Sequence, residues 1–66
     1  MKIGNIIKEL RKEKNMSQTD LAKLLFLSQD TISLWERDKS LPDVNSVVEM
    51  SKIFQVTTDY ILGLEE

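Results

Sequence analysis

Apolar residues recur along this chain at the spacing of amphipathic helices. The first stripe, from Ile3 to Leu10, follows the i, i+3, i+4, i+7 pattern and predicts a helix over about residues 2–14. No segment alternates apolar and polar residues with a period of two, and no internal repeat is present in the sequence. The pattern predicts an all-α fold, a compact bundle of five short helices. These helices are expected over about residues 2–14, 18–25, 29–37, 44–54 and 58–63.

Polar residues mark the expected helix boundaries. Ser17, Ser28 and Asp43 precede apolar stripes, and their side-chain oxygens are suited to accept hydrogen bonds from backbone N–H groups of the first turn. Asn15 and Gly63 follow stripes, at positions where a left-handed backbone commonly ends a helix. We therefore expect side-chain caps at the first three residues and helix termination at the other two.

The apolar stripes of these helices are predicted to face the core. In the last helix, Tyr60, Ile61 and Leu64 are either core residues or part of a surface that pairs with a second copy of the chain. The other expected core residues are Ile3, Ile6, Ile7 and Leu10 in helix 1, Leu21, Ala22, Leu24 and Leu25 in helix 2, and Val44, Val47, Val48 and Phe54, with Met50 and Ile53 beside them, in helix 4.

The composition restricts the class of protein. With 66 residues, the chain is expected to form one domain over residues 1–66. It contains neither Cys nor His, which excludes disulfides, zinc fingers and nearly all thiol or imidazole catalysis. The sequence also has no Gly-rich phosphate loop, and so few residues leave no room for a deep pocket. We therefore predict no metal site, no cofactor and no small-molecule substrate, and we expect a protein that is not an enzyme. No apolar run approaches the roughly 20 residues that cross a bilayer, so a cytoplasmic location without membrane contact is expected.

Charge is unevenly distributed along the chain. The net charge of −2 alone argues against a nucleic-acid ligand. Residues 1–39, however, carry eight Lys or Arg against six Asp or Glu, a balance of +2, whereas residues 40–66 carry one Lys against five acids, a balance of −4. The first part of the chain therefore offers a phosphate a more favourable local field than the total charge indicates.

Helices 2 and 3 are separated by three residues, which predicts a helix-turn-helix over about residues 17–37. At roughly 100° per residue, Ile32 and Trp35 fall on one side of helix 3, and polar groups from Gln29 to Arg37 fall on the other. Such an arrangement places the second helix in a DNA major groove while the first crosses the backbone. We therefore expect helix 3 to read base edges in double-stranded DNA.

The side chains of helix 3 suit base recognition. Gln29 can pair bidentately with adenine N6 and N7, and Leu34 can contact a thymine methyl group. Asp30 either accepts from cytosine N4 or serves only as an acid in the first turn of the helix. The residues of this segment that are expected to contact DNA are Ser28, Gln29, Asp30, Thr31, Ser33 and Leu34.

Other residues are expected to bind phosphates. Gln18 lies at the start of helix 2, where backbone N–H groups and its own amide can hold an anion. Arg37, Lys39 and Ser40 follow the recognition helix and are placed to hold the DNA backbone. These contacts would set the register of the protein on DNA rather than its sequence preference.

Several spaced motifs run over nearly the whole chain. They are the run from Ile7 to Lys14, Ser17-Gln18-x-x-Leu21-Ala22, Ser28-x-x-Thr31-Ile32-Ser33-x-Trp35-Glu36-Arg37, Pro42, and Thr57-x-Asp59-Tyr60-Ile61-Leu62-Gly63. Together they resemble the Cro/CI-type (XRE) helix-turn-helix family. This resemblance implies a lambda-repressor-like five-helix fold, binding to a palindromic operator as a homodimer, and an ion pair between Arg11 and Glu36.

Two residues depart from the pattern of that family. Phe26 stands in the turn after helix 2 and Asp38 stands after the recognition helix, where the family commonly has Gly. A left-handed backbone at Phe26 would be strained by about 1–3 kcal/mol. We therefore expect either that the turn differs from that of the family, or that other contacts of Phe26, such as packing against a partner, offset the strain.

Two functions remain open on the sequence. The first is a sequence-specific DNA-binding transcriptional regulator, expected to be a repressor. The alternative is a protein-interaction module of the same fold, antitoxin-like or a regulatory partner, because the second half of the chain is acidic and Leu34 is apolar on an outward face.

Overall fold

Five α-helices account for most of the computed structural model, which describes residues 2–65. Among these residues there is no strand, so the predicted all-α fold is confirmed. No helix in the described range has both the length and the apolar character needed to cross a membrane. The helices are α1 (Ile3–Glu13), α2 (Gln18–Leu25), α3 (Gln29–Glu36), α4 (Val44–Phe54) and α5 (Thr58–Ile61).

The first three helices start and end close to the predicted positions, and α2 is held at its start by a reciprocal cap. The Ser17 hydroxyl accepts from the backbone N–H of Asp20 at 3.0 Å, and the Asp20 carboxylate accepts from the backbone N–H of Ser17 at 2.9 Å. At α3, the Ser28 hydroxyl accepts from the backbone N–H of Thr31 at 3.3 Å. The predicted caps at Ser17 and Ser28 are therefore confirmed.

The start of α4 differs from the prediction. Asp43 is the N-cap residue, but its side chain caps no backbone N–H. Instead its Oδ1 accepts from the hydroxyl of Ser46 at 2.5 Å. The carboxylate of Asp43 is therefore bound by the Ser46 hydroxyl, and this hydrogen bond satisfies the buried side chain of Ser46.

All four longer helices are followed by a non-glycine residue with a left-handed backbone. Asn15, Phe26, Asp38 and Gln55 have φ between 56° and 58°, and Gly63 after α5 has φ of 75°. After each of them the next backbone N–H bonds back across the last turn, as in the 2.9 Å bond from Leu27 N to the Ala22 oxygen. The turn at Phe26 therefore keeps the geometry that usually favours Gly.

Eleven apolar side chains form one buried cluster to which all five helices contribute. Trp35 is 3% exposed and Ile32 is fully buried, so α3 is anchored by its inner side. In the last helix Ile61 is a core residue, while Tyr60 and Leu64 are exposed. The cluster consists of Ile3, Ile7, Leu10, Leu21, Ala22, Ile32, Trp35, Val47, Met50, Phe54 and Ile61.

Three residues predicted to lie in the core are exposed instead. Leu24 is 53% exposed on α2, and Val44 and Val48 are 79% and 37% exposed on α4. The predicted core face of α4 is therefore wrong at Val44 and Val48, whereas Val47, Met50 and Phe54 are buried as predicted. Val44 and Val48 lie on the adjoining strip, roughly 100° or more around the helix axis.

Three helices are shorter than predicted, and α1 spans Ile3–Glu13 rather than residues 2–14. The α3 helix ends at Glu36, one residue before the prediction, and α5 ends at Ile61 rather than at residue 63. In both cases the final residues form the tight turn that leads into the left-handed position. This shortening leaves Arg37 in the turn after α3.

Candidate nucleic-acid interface

The outer side of α3 carries the side chains that the sequence assigned to base contact. Gln29 and Asp30 are exposed at its first turn, and Leu34 is 37% exposed one turn later. Ser33 and Thr31 are half-buried. Because Ile32 and Trp35 occupy the inner side, this outer side is available to a ligand along the length of the helix.

A chain of hydrogen-bonded side chains runs from the exposed start of α3 into the protein. The Gln29 Nε2 donates to Gln18 Oε1 at 2.5 Å, and Gln18 Nε2 donates to Glu36 Oε1 at 3.1 Å. Glu36 in turn accepts from Arg11. The structure thus joins a proposed base-reading residue, a proposed phosphate-binding residue and the expected ion pair in one connected network.

The ion pair implied by the resemblance is present and bidentate. Arg11 Nε lies 2.8 Å from Glu36 Oε2, and Arg11 NH2 lies 3.0 Å from Glu36 Oε1. A third bond, from Arg11 NH1 to the carbonyl oxygen of Met16, lies at 2.8 Å. The two side chains are 9% and 3% exposed, so the pair ties α1 to α3 away from solvent.

The environment keeps Glu36 ionised. Burial by itself raises the pKa of this carboxyl, but the hydrogen bonds from Arg11 and Gln18, together with the charges of Arg11 and Lys8, outweigh burial and lower its pKa below the ordinary value. The hydrogen bond to Glu36 raises the pKa of Arg11. Both partners therefore remain charged at neutral pH.

The remaining hydroxyls of α3 are engaged within the protein. The hydroxyls of Ser28 and Thr31 lie 3.0 Å apart, and Ser28 also caps the helix. Arg37 Nε donates to the Ser33 hydroxyl at 3.2 Å and lies 3.4 Å from the Ser33 carbonyl oxygen. Arg37 therefore folds back along α3, whereas the amide of Gln29 keeps outward-facing capacity at the other end.

The turn after α3 presents the expected phosphate-binding residues to solvent. Arg37, Lys39 and Ser40 are all exposed, and the backbone N–H of Lys39 bonds to the Leu34 oxygen at 2.9 Å. Asp38 is also exposed in this turn and reduces its positive charge. The turn is thus held to α3 by its backbone while its long side chains are free of the core.

The family model for the helix-turn-helix matches residues 7–61 of the chain. The chain belongs to the helix-turn-helix family. Its α2, turn and α3 lie inside the matched segment, as do the Arg11–Glu36 pair and the two glutamines.

Proteins of known role share this helix-turn-helix over the whole chain. The transcriptional activator BcrR of Enterococcus faecalis is 39% identical over 66 residues, which are 100% of this chain and 32% of that protein. The transcriptional regulator ImmR of Bacillus subtilis (strain 168) is 33% identical, over 100% of this chain and 52% of that protein. The chain therefore spans about a third and about half of the length of these two relatives.

A solved structure has the same fold. It is the crystal structure of the P22 c2 repressor protein in complex with synthetic operator 9T, with a TM-score of 0.88 and 32% sequence identity. The match covers 96% of this chain and 96% of that chain. With this likeness, the helix-turn-helix of this chain is of the Cro/CI type, and the resemblance drawn from its motifs is confirmed.

Two contributors to the helix-turn-helix were not predicted from the sequence. Gly4 was given no role, yet it is buried where α1 meets the carboxyl end of α3. Gln18 was predicted only to bind phosphate, but it is half-buried because it also bridges Gln29 and Glu36. The 11-residue spacing of the two glutamines, each at a helix start, was the available signal for the second feature.

Proposed function

We propose that this chain is the DNA-binding domain of a transcriptional regulator, a repressor acting in the cytoplasm, which inserts α3 into the major groove of operator DNA. The observation that carries the proposal is the division of α3 into a buried inner side, anchored by Trp35, and an outer side that begins with the exposed amide of Gln29. The operator complex of the similar P22 c2 repressor supports it.

Gln29 is the proposed main base contact. One hydrogen of its Nε2 is used by Gln18, which leaves the second hydrogen and the Oε1 lone pairs for a ligand. One donor beside one acceptor matches the N7 and N6 positions of adenine in the major groove. The neighbouring residues proposed to contact DNA are Ser28, Asp30, Thr31, Ser33 and Leu34.

Phosphate contacts are proposed on both sides of α3. Gln18 keeps one free Nε2 hydrogen beside the backbone N–H groups that open α2. Arg37, Lys39 and Ser40 lie at the other end of α3, in the exposed turn. Because the acids Asp30 and Asp38 lie on the same surface, we expect few phosphate contacts and a modest dependence of affinity on salt.

We further propose that the chain binds a palindromic operator as a homodimer. A groove of about 240 Å³ lies between α4 and α5, lined by Pro42, Val44, Val47, Val48, Thr58 and Leu62. Val44 in this groove and Leu64 beyond α5 are 79% and 70% exposed. A second copy that covers these apolar side chains would present two recognition helices to successive turns of DNA.

Selection of bound sequences from a random duplex pool tests the proposed function, with molecular mass measured on the same preparation. We expect a two-fold symmetric site with half-site centres about 34 Å apart, a dimeric mass on that DNA, and an affinity that falls as salt rises. A pool that shows no sequence enrichment, with salt-independent binding, would contradict the proposal.

One observation favours a second function, a protein-interaction module. Phe26 is 95% exposed although its backbone is strained, so its aromatic ring has no packing partner among residues 2–65. A protein partner that buries this ring would use the turn rather than α3. In that case Arg37→Ala and Lys39→Ala would leave the affinity for the protein partner unchanged, whereas Phe26→Ala would abolish partner binding.

A further inference from the structure

We propose that Glu36 determines which base Gln29 prefers, although Glu36 is itself a buried residue behind the DNA-facing surface. This inference rests on the proposed base contact of Gln29. Glu36 would act through Gln18, by imposing a direction on the chain of amide hydrogen bonds. Glu36 is thus a positioning residue for recognition, in addition to its structural pairing with Arg11.

The direction of these amide hydrogen bonds is determined by the groups at their buried end, Glu36 and Arg11. An ionised carboxylate accepts hydrogen bonds and cannot donate them, and the guanidinium group of Arg11 only donates. Gln18 must therefore turn its Nε2 toward Glu36, where the two groups lie 3.1 Å apart. The opposite orientation would place the Gln18 carbonyl oxygen against a carboxylate that is 3% exposed, an unfavourable contact between two acceptors.

This choice passes to Gln29. With its Nε2 committed to Glu36, Gln18 presents Oε1 to the neighbouring glutamine and requires a donor there. Gln29 supplies its Nε2, 2.5 Å away. One remaining Nε2 hydrogen and the Oε1 atom of Gln29 then face outward. The positions of this donor and this acceptor along the groove are therefore determined by Glu36, which lies at the other end of α3.

The two possible directions favour different bases. With the hydrogen bonds in the observed direction, Gln29 offers one donor and one acceptor, which complement N7 and N6 of adenine. If the hydrogen bonds ran in the opposite direction, Gln29 Oε1 would accept from Gln18 and both Nε2 hydrogens of Gln29 would point outward. Two donors complement guanine, which presents acceptors at N7 and O6. The carboxylate of Glu36 therefore favours adenine over guanine at the base pair that Gln29 contacts.

The substitution Glu36→Gln tests this inference. A neutral amide at position 36 can donate as well as accept, so both directions become available. The measurement is the ratio of affinities for the selected operator and for the same operator with guanine in place of adenine at the pair that Gln29→Ala identifies. We expect this ratio to be about 5-fold to 150-fold in the wild type and to fall at least about fivefold in Glu36→Gln.

Three matched variants separate positioning from stability. Loss of folded protein weakens binding to both operators equally, so the ratio does not depend on the folded fraction. Arg11→Lys weakens the ion pair but leaves the carboxylate, and the ratio should be retained. Gln18→Met leaves the ion pair intact but removes the link, and the ratio should fall. In a Gln29→Ala background, Glu36→Gln should have no effect on the ratio.

The possible failures are distinguishable. A wild-type ratio in both Glu36→Gln and Gln18→Met would overturn the role of Glu36 while leaving the base contact of Gln29 standing. A Gln29→Ala protein with unchanged preference at every base pair would overturn the proposed base contact, and the inference with it. If Glu36→Gln does not fold, a wild-type ratio in Gln18→Met would still overturn the role of Glu36, because Glu36 reaches Gln29 only through Gln18.

Discussion

Gly4 lies so close to Trp35 that a Cβ atom built on Gly4 would stand 2.3 Å from the main-chain carbonyl oxygen of Trp35. The same Cβ would be 3.1 Å from the carbonyl oxygen of Glu36. The start of α1 therefore packs against the backbone at the carboxyl end of α3. This contact, like the Arg11–Glu36 pair, sets where the recognition helix lies relative to the rest of the fold.

We predict that Gly4→Ala destabilises the protein by about 1–3 kcal/mol, because the backbone of α3 must move away from the added methyl group. The result would be opposite in sign to the intrinsic preference, since Ala is a better helix former than Gly by about 1 kcal/mol. Urea denaturation measures the effect. Asn5→Ala, at the exposed neighbouring position, is the control and should change stability little. A Gly4→Ala protein of increased stability would show that the helices are not in close contact.

Three carboxylates with lowered pKa values, those of Glu36, Asp20 and Asp43, predict how stability depends on pH. The pKa of Glu36 is lowered in the folded state, so its contribution is complete above the ordinary carboxyl pKa of about 4.3 and is lost as the pH falls through the folded-state value. The pKa values of Asp20 and Asp43 are also lowered, chiefly by the backbone N–H of Ser17 and by the Ser46 hydroxyl.

The free energy of unfolding should therefore be nearly constant from pH 7 to about pH 5 and should fall below about pH 4.5. In Glu36→Gln the fall should be shallower, because only the two aspartates still contribute. Denaturation curves at a series of pH values measure both slopes. Equal slopes in the two proteins would mean that Glu36 has the same pKa in the folded and unfolded chains.

Phe26→Gly is predicted to stabilise the protein by about 1 kcal/mol. Phe26 has φ of 58°, a conformation that is unfavourable for residues with a Cβ, and its 95% exposed ring loses no packing when it is removed. Asn15→Gly, at φ of 56°, should gain less, because Asn tolerates this backbone. Thermal unfolding compares the two. A loss of stability in Phe26→Gly would reveal that the ring contributes contacts to the folded state.

The helices and most of their caps could be predicted from the sequence because they depend on neighbours within one turn. Ser17, Ser28 and Asn15 act through backbone groups at most a few residues away. The ion pair of Arg11 and Glu36 joins residues 25 apart, and it was expected only through the resemblance to a family.

The features that were missed depend on how the helices pack. The sequence of α4 carries two adjacent apolar strips, and only the positions of α2 and α5 decide that Met50 faces inward while Val44 and Val48 do not. The close approach at Gly4 and the bridge through Gln18 arise in the same way, since each requires α3 to lie at one particular place.

Lys39→Ala should weaken operator binding without changing its sequence preference. The side chain is exposed in the turn after α3, and removal of one phosphate contact should reduce the slope of log affinity against log salt by about 1. Binding titrations at several salt concentrations give this slope. The control is Lys52→Ala, on α4, for which no DNA contact is proposed. A Lys39→Ala protein with the wild-type slope would remove this residue from the interface.

Replacement of the contacted adenine by 7-deazaadenine shows whether α3 reads base edges in the major groove through Gln29. The substitution removes only the N7 acceptor, and we predict that wild-type affinity falls by about 1 kcal/mol, roughly fivefold, for the lost hydrogen bond. Gln29→Ala should bind the normal and modified duplexes equally. An equal loss in both proteins, or no loss at any selected adenine in the wild type, would mean that Gln29 does not contact adenine N7.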